Sequence, residues 1–301
     1  MNIKVLIAIV ALCLVWSSLW GIIKFSLQIF PTFLFISIRL MLAGLSLMLI
    51  QVCLQRQILP QGREWKHLSI LSLMLCFGFY ATQTFAMHFV NSGLSAILVF
   101  TMPIFVGVLA HYCLDEKLTL QKKVGLLLGG CGLISILWPQ LQHIHFDLAL
   151  MGELILIGSG FFWACTSIYI KKYLADCDKI KMTIWQLLPG GCALFAMALY
   201  FEPFNTKIWF NSFNLGLLSY IAIMGTGLAF LVWNWILSQV DTVTASISVM
   251  SIPILSLFFG YIFWQEALSL NILIGAVFIC FGILCTSVRI RFLEQSKGKV
   301  S

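Results

Sequence analysis

The sequence predicts an all-α integral membrane protein whose ten transmembrane helices form two inverted five-helix repeats. Three observations predict this class: an apolar composition, ten apolar segments of spanning length, and an internal repeat. Of the 301 residues, 61% are hydrophobic and only 10% are charged, and the mean hydropathy is +1.01. A soluble domain is about half apolar and about a quarter charged. The composition therefore excludes an ordinary soluble protein.

The apolar segments follow one another with short connectors, and most are close to the ~20 residues that a helix needs to cross a bilayer. No small-x-small cleavage pattern follows the first segment, so we interpret it as a permanent span and not as a signal peptide. The predicted spans are 5–24, 32–53, 68–89, 93–113, 124–139, 150–170, 182–201, 213–238, 243–264 and 271–289.

An internal repeat relates the two halves of the chain. At a shift of 150 residues Pro103 falls on Pro253, and "LDEKLTLQKKVG" falls on "WQEALSLNILIG"; nearer the start, at a shift of 147, Lys24 falls on Lys171. Each copy has an odd number of spans, so the second copy must be inverted in the membrane, an arrangement typical of secondary transporters. We expect one repeat in residues 1–145 and the other in 146–301, which includes a short cytoplasmic tail.

Lysine and arginine are distributed unevenly over the connectors. If the N-terminus lies inside, 15 of the 18 basic residues are on the inner side, and only Lys207 is plainly outside. The positive-inside rule then predicts that both termini are cytoplasmic. The same bias accounts for the net charge of +7, because basic connectors are attracted to the anionic lipids of the inner leaflet. No nucleic-acid partner is needed to explain this charge.

Arg39 lies eight residues into the second span, which places it about 12 Å below the membrane surface. Three interpretations are open. The side chain could snorkel to an interface. It could face a water-filled cavity and bind a substrate carboxylate or phosphate. It could also brace the bundle by binding backbone carbonyls or Gln186, which occupies the matching position of the second copy.

The third span carries a polar face, because Tyr80, Gln83 and Thr84 recur at helical spacing. The repeat matches this face with Trp233 and Asn234 in the second copy. Such groups could line a cavity or form hydrogen bonds between helices, and the residue pattern favours neither. The candidate cavity residues are Trp16, Arg39, Tyr80, Gln83, Thr84, Trp163, Gln186, Trp233 and Asn234.

Pro103 and Pro253 predict matched kinks near the middle of their spans, which could act as pivots of a gate or be static features. The His-x-His-x-Asp stretch at 143–147 lacks further ligands, so we expect no metal site there. Neither a P-loop nor a set of nucleophile, base and orienting group is present, so the sequence predicts no enzyme and no cofactor.

The whole pattern resembles the EamA family of the drug/metabolite transporter superfamily. The motifs that carry the resemblance are "VWSSLWGIIKF", "PTFLFISIRLMLAG" and "GELILIGSGFFWACTSIYIKK", together with the repeated proline and glycine segments. The resemblance implies a carrier in the bacterial inner membrane that exports amino acids or related small metabolites by alternating access. A scaffold or channel-type membrane subunit and a lipid-modifying membrane enzyme remain as alternative functions.

Overall fold

A computed structural model describes residues 3–116, 118–141, 148–264 and 270–287, and this part of the chain is helical without strands. Long helices are joined by short connectors, one of which contains the short helix Thr206–Trp209. The long helices are α1 Ile3–Ser26, α2 Thr32–Cys53, α3 Glu64–Ala86, α4 Ser92–Cys113, α5 Leu120–Leu141, α6 Leu148–Tyr173, α7 Lys179–Phe201, α8 Ser212–Gln239, α9 Thr242–Phe263 and α10 Leu270–Ser287.

The described residues include eight helices that are long and apolar enough to cross a membrane, namely α1 to α4 and α6 to α9. The remaining pair, α5 and α10, pack against each other at the positions of the predicted fifth and tenth spans. The prediction of an all-α membrane protein is confirmed, and eight of the described helices have the length and composition of spans, where the sequence predicts ten.

Polar contacts bring four connectors together at one end of the bundle, which we call the basic end. Arg56, after α2, lies 3.4 Å from the carboxylate of Asp178, which precedes α7. Glu116, after α4, accepts a hydrogen bond from the backbone N–H of Thr242 at the start of α9, at 3.1 Å. Even-numbered helices from α2 to α8 therefore end here, and we call the opposite end the far end.

Two lysines show that the copies run in opposite directions. Lys24, near the end of α1, donates to the backbone carbonyl of Val90 between α3 and α4, at 3.0 Å. Lys171, at the matching place in α6, donates to the carbonyl of Val240 between α8 and α9, at 2.5 Å. Lys171 also lies 3.8 Å from Glu116 at the basic end, whereas Lys24 lies at the far end. The same contact thus recurs with its direction reversed.

Irregular backbone also recurs in both copies. The segments Met74–Ala81 of α3 and Tyr220–Leu228 of α8 are π-helical, a form that is rare and often found at functional sites. The helix α4 is broken at residues 100–101 and α9 at 249–250. Pro103 and Pro253 follow these breaks in the first turn of a new helical segment, where proline removes no helical hydrogen bond. The expected kinks are therefore breaks that the prolines follow.

The helices α5 and α10 approach closely because glycines of each face the backbone of the other. A Cβ on Gly132 would lie 2.7 Å from the carbonyl oxygen of Gly275, and a Cβ on Gly282 would lie 2.8 Å from that of Gly125. These two contacts are related by the shift of 150 residues. Small residues at such crossings let helices pack through their backbones in a membrane.

We expect Gly132→Ala to destabilise the protein by about 1–3 kcal/mol, because the new methyl group meets backbone that cannot rotate away. Gly130→Ala, two residues away on α5, is the control, since the nearest atom to its Cβ is Ile104 Cδ1 at 4.0 Å. Thermal unfolding in detergent measures both. Equal melting temperatures for the two variants would contradict the close crossing.

Candidate functional site

A cavity of about 490 Å³, counting its open mouth, lies between the copies. Its lining residues come from six helices, α1 to α4, α6 and α8, and are Trp16, Leu19, Trp20, Ile23, Arg39, Phe79, Tyr80, Gln83, Val99, Phe100, Met102, Trp163 and Phe230.

The cavity occupies the far half of the bundle. From α1 it takes one helical face in the C-terminal half, running from Trp16 to Ile23 at spacings of three and four residues. Arg39 belongs to the first turns of α2, and Gln83 to the last turns of α3. Since α1 and α3 end at the far end and α2 begins there, the cavity lies nearer to that end than to the basic end.

Arg39 is the charged group of the cavity wall. Its side chain is only 4% exposed, and its Nε donates to Thr226 Oγ1 at 2.7 Å. The hydroxyl of Thr226 in turn donates to the carbonyl of Ile221 at 2.9 Å, within the π-helical segment of α8. The guanidinium carbon lies 5.0 Å from the centre of the Tyr80 ring, a distance typical of a cation–π contact.

No carboxylate among the described residues forms an ion pair with Arg39. A charge at this depth costs ~2.5–3.5 kcal/mol on insertion scales, and one Thr226 hydroxyl and one Tyr80 ring offset part of that cost. Because Arg39 faces the bundle interior, a snorkelling side chain is excluded, and its hydrogen-bond partner is Thr226, not Gln186. The guanidinium keeps donors for a further acceptor.

Aromatic rings form what we call the cavity floor, on the side nearer the basic end. The ring of Trp16 lies 5.3 Å from that of Trp163, edge to face, and Trp233 lies 5.7 Å from Trp163. Phe230 completes the cluster at 5.2 Å from Trp163. The indole N–H of Trp16 donates to the carbonyl of Gly225 at 3.3 Å, which fixes the ring at the cavity floor. The floor is therefore a packed cluster of aromatic rings.

The structure brings five of the nine candidate residues to the cavity wall: Trp16, Arg39, Tyr80, Gln83 and Trp163.

The other four lie elsewhere. Trp233 packs in the aromatic floor without lining the cavity. Asn234 donates to Thr183 Oγ1 at 2.9 Å and to Gln186 Oε1 at 3.4 Å, in a buried cluster of its own. Thr84 is buried, and its hydroxyl has no hydrogen-bond partner among the described residues.

Sequence reasoning missed several wall residues, of which two had a signal. Phe230 is the repeat partner of Tyr80 at the shift of 150, and Trp20 lies one helical turn after Trp16. Thr226, the partner of Arg39, had no such signal, because it comes from the other copy and its position depends on the π-helical segment of α8.

Polar contacts between the copies close the basic end. Glu116 accepts hydrogen bonds from the backbone N–H and the hydroxyl of Thr242, at 3.1 and 2.9 Å. Lys122 lies 2.8 Å from Asp241. Burial raises the pKa of Asp241, but hydrogen bonds from Lys122 and Thr244 outweigh burial and hold this pKa below its usual value. These contacts join the α4–α5 connector and α5 of one copy to the α8–α9 junction of the other.

A metal site has no support in the part of the chain that the structure describes, where no group of three or more His, Cys, Asp or Glu side chains could hold an ion. The His-x-His-x-Asp stretch at 143–147 lies outside the described residues.

Comparisons with known proteins agree with this architecture. The sequence model of the EamA-like transporter family matches residues 3–138 and again 150–288. The uncharacterized transporter YoaV of Bacillus subtilis is 33% identical over 93% of this chain and 96% of its own length. A protein of Escherichia coli named "Probable amino-acid metabolite efflux pump" is 23% identical over 94% of each chain. A solved crystal structure superposes with a TM-score of 0.80 at 18% identity and covers 98% of this chain and 100% of its own.

Proposed function

The chain belongs to the EamA-like transporter family, and from this premise we propose that it exports amino acids or related small metabolites by alternating access around the aromatic cavity. A multi-pass membrane transporter of a small molecule is what membership in the family implies. The finer statement, that the substrate carries a carboxylate and leaves the cell, is the proposal.

The proposal depends most on Arg39. A buried guanidinium with one hydroxyl as its hydrogen-bond partner, on the wall of a cavity between the two copies, is suited to a substrate anion. The planar fork of arginine binds a carboxylate through two parallel hydrogen bonds. The Escherichia coli relative, by its name an efflux pump for amino-acid metabolites, supports the direction and the class of substrate.

Counterflow in liposomes tests this function. Purified protein would be reconstituted into vesicles preloaded with one unlabelled amino acid or metabolite, and a trace of the labelled compound would be added outside. A carrier accumulates label above equilibrium for a time, because exchange outpaces net loss. A channel gives no such overshoot, and an enzyme converts the compound. Absence of an overshoot across a panel of carboxylate-bearing solutes would overturn the proposal.

We place both termini and the basic end in the cytoplasm of a bacterial inner membrane, because the basic connectors gather at that end. Reporter fusions after residues 60 and 120 should report the cytoplasm, and one after residue 145 the outer side. A cytoplasmic signal at 145 would contradict this orientation. In the proposed orientation the cavity lies in the outer half of the bundle.

The helix breaks that precede Pro103 and Pro253 are the proposed hinges of the gate. In Pro103→Ala the new N–H could bond the carbonyl of Val99 and make α4 continuous, which would stiffen it. We expect either alanine variant to slow transport several-fold more than it weakens substrate binding. Pro203→Ala, in the exposed connector after α7, is the control. Parental transport rates in both hinge variants would show that the breaks are static.

A further inference from the structure

The charges around the cavity are one-sided. Arg39 supplies a positive charge to the wall, and Gln83 supplies an amide. None of the lining residues carries a carboxylate. A ligand therefore meets a charged partner for a negative group, whereas a positive group meets only ring faces and the neutral oxygen of the Gln83 amide.

Two acidic side chains near the ends of the bundle, Glu202 and Glu116, are already engaged in hydrogen bonds. Glu202, at the far end, accepts hydrogen bonds from the backbone N–H groups of Phe33 and Leu34 at 2.9 and 2.7 Å. Glu116, at the basic end, is held by the N–H and the hydroxyl of Thr242. Neither is a lining residue, so neither supplies a counter-charge inside the cavity.

The rest of the wall selects the body of the ligand. Seven of the thirteen lining residues are aromatic, and most of the others are aliphatic. The rings of Trp16, Trp163 and Phe230 stand edge to face at 5.2–5.7 Å, which presents both faces and edges to the space between them. Such a surface suits a flat apolar group through stacked and edge-on contacts.

An ammonium group would fit this cavity poorly. A free amino acid would place its α-ammonium within a few ångströms of the carboxylate and hence beside the Arg39 guanidinium. It would lose water without gaining a carboxylate partner, and one of the rings that could receive it, that of Tyr80, already lies under Arg39 at 5.0 Å.

We propose that the cavity binds an organic monoanion with a flat, apolar body and no ammonium group, such as an aryl carboxylate, in preference to a free amino acid. The observation behind this proposal is that one buried guanidinium, which forms no ion pair with any described carboxylate, faces an aromatic wall. The inference narrows the proposed function to the metabolites related to amino acids, and it rests on that function.

Four compounds with one phenylpropyl skeleton test the inference: 3-phenylpropionate, phenylalanine, 3-phenylpropylamine and 3-phenylpropanol. Calorimetric titration of the purified full-length protein in detergent measures their affinities. We expect 3-phenylpropionate to bind at least about tenfold more tightly than phenylalanine, a difference of about 1.4 kcal/mol. The amine should bind most weakly, and the neutral alcohol should lie between.

The variant Arg39→Met separates charge recognition from an intact cavity. It should bring 3-phenylpropionate down to the affinity of the alcohol, while the alcohol itself binds as to the parent and so reports a folded site. Equal or tighter binding of phenylalanine to the parent would overturn the narrower inference and leave a carboxylate transporter standing. Two other results would overturn both the inference and the Arg39 site of the proposed function. One is failure of the parent to bind 3-phenylpropionate, and the other is binding of this compound by Arg39→Met as tightly as by the parent.

Discussion

Arg39→Met is expected to insert and fold, yet to lose about 100-fold or more of its transport at low substrate concentration, because two charge-assisted hydrogen bonds contribute about 3 kcal/mol or more. Folding should survive because the Met side chain keeps the apolar stem and removes a costly buried charge. Thr226 then loses one donor but still donates to Ile221. Transport normalised to folded protein in liposomes is the measurement.

Arg39→Lys is the matched control, since it keeps the charge and removes the planar fork. We expect intermediate transport, about tenfold below the parent if one of two hydrogen bonds of about 1.5 kcal/mol is lost. Parental activity of Arg39→Met would exclude a binding role. Loss of monodisperse protein in Arg39→Met would show instead that Arg39 braces the bundle through Thr226.

Glu116→Ala is expected to open the basic end. The carboxylate accepts from the backbone and the hydroxyl of Thr242 and lies 3.8 Å from Lys171, so its loss removes contacts between the two copies in this conformation. Opening should expose Cys13, a buried residue of α1 that lies on the basic side of Trp16 and accepts a hydrogen bond from Ser251 of α9 at 3.3 Å.

The measurement is the rate of alkylation of Cys13 by a maleimide, in a chain whose other cysteines are replaced. We expect Glu116→Ala to raise this rate at least about tenfold, which corresponds to a shift of about 1.4 kcal/mol between conformations. Asp176→Ala is the control, because Asp176 is an exposed carboxylate at the same end. Equal rates in the parent, Glu116→Ala and the control would show that the Glu116 contacts do not hold the basic end shut.

The apolar segments and the repeat predicted the positions of the helices, because an apolar segment long enough to cross a membrane must satisfy its backbone hydrogen bonds as a helix. They also predicted matched irregularities at Pro103 and Pro253, where the structure shows helix breaks. The π-helical segments of α3 and α8 had no sequence signal, since a π-helix differs from an α-helix in its backbone register alone.

The site was predictable only in part, for a similar reason. The depth of Arg39 and the matched pair Trp16 and Trp163 indicated an interior location, and these residues do line one cavity. Helical spacing could not separate Gln83, which lines the cavity, from Thr84, which does not, because adjacent residues differ by 100° around the helix and the sequence does not say which direction faces the cavity. That direction follows from packing between the copies.

In the proposed transport mechanism Arg39 holds the transported anion inside the aromatic cavity. A structure of the protein determined with 3-phenylpropionate bound would show whether it does. We expect the carboxylate within hydrogen-bond distance, about 2.7–3.0 Å, of the Arg39 guanidinium, with the phenyl ring against Trp16 or Trp163. A ligand bound outside the cavity, or one inside it whose carboxylate points away from Arg39, would show that Arg39 does not hold the anion.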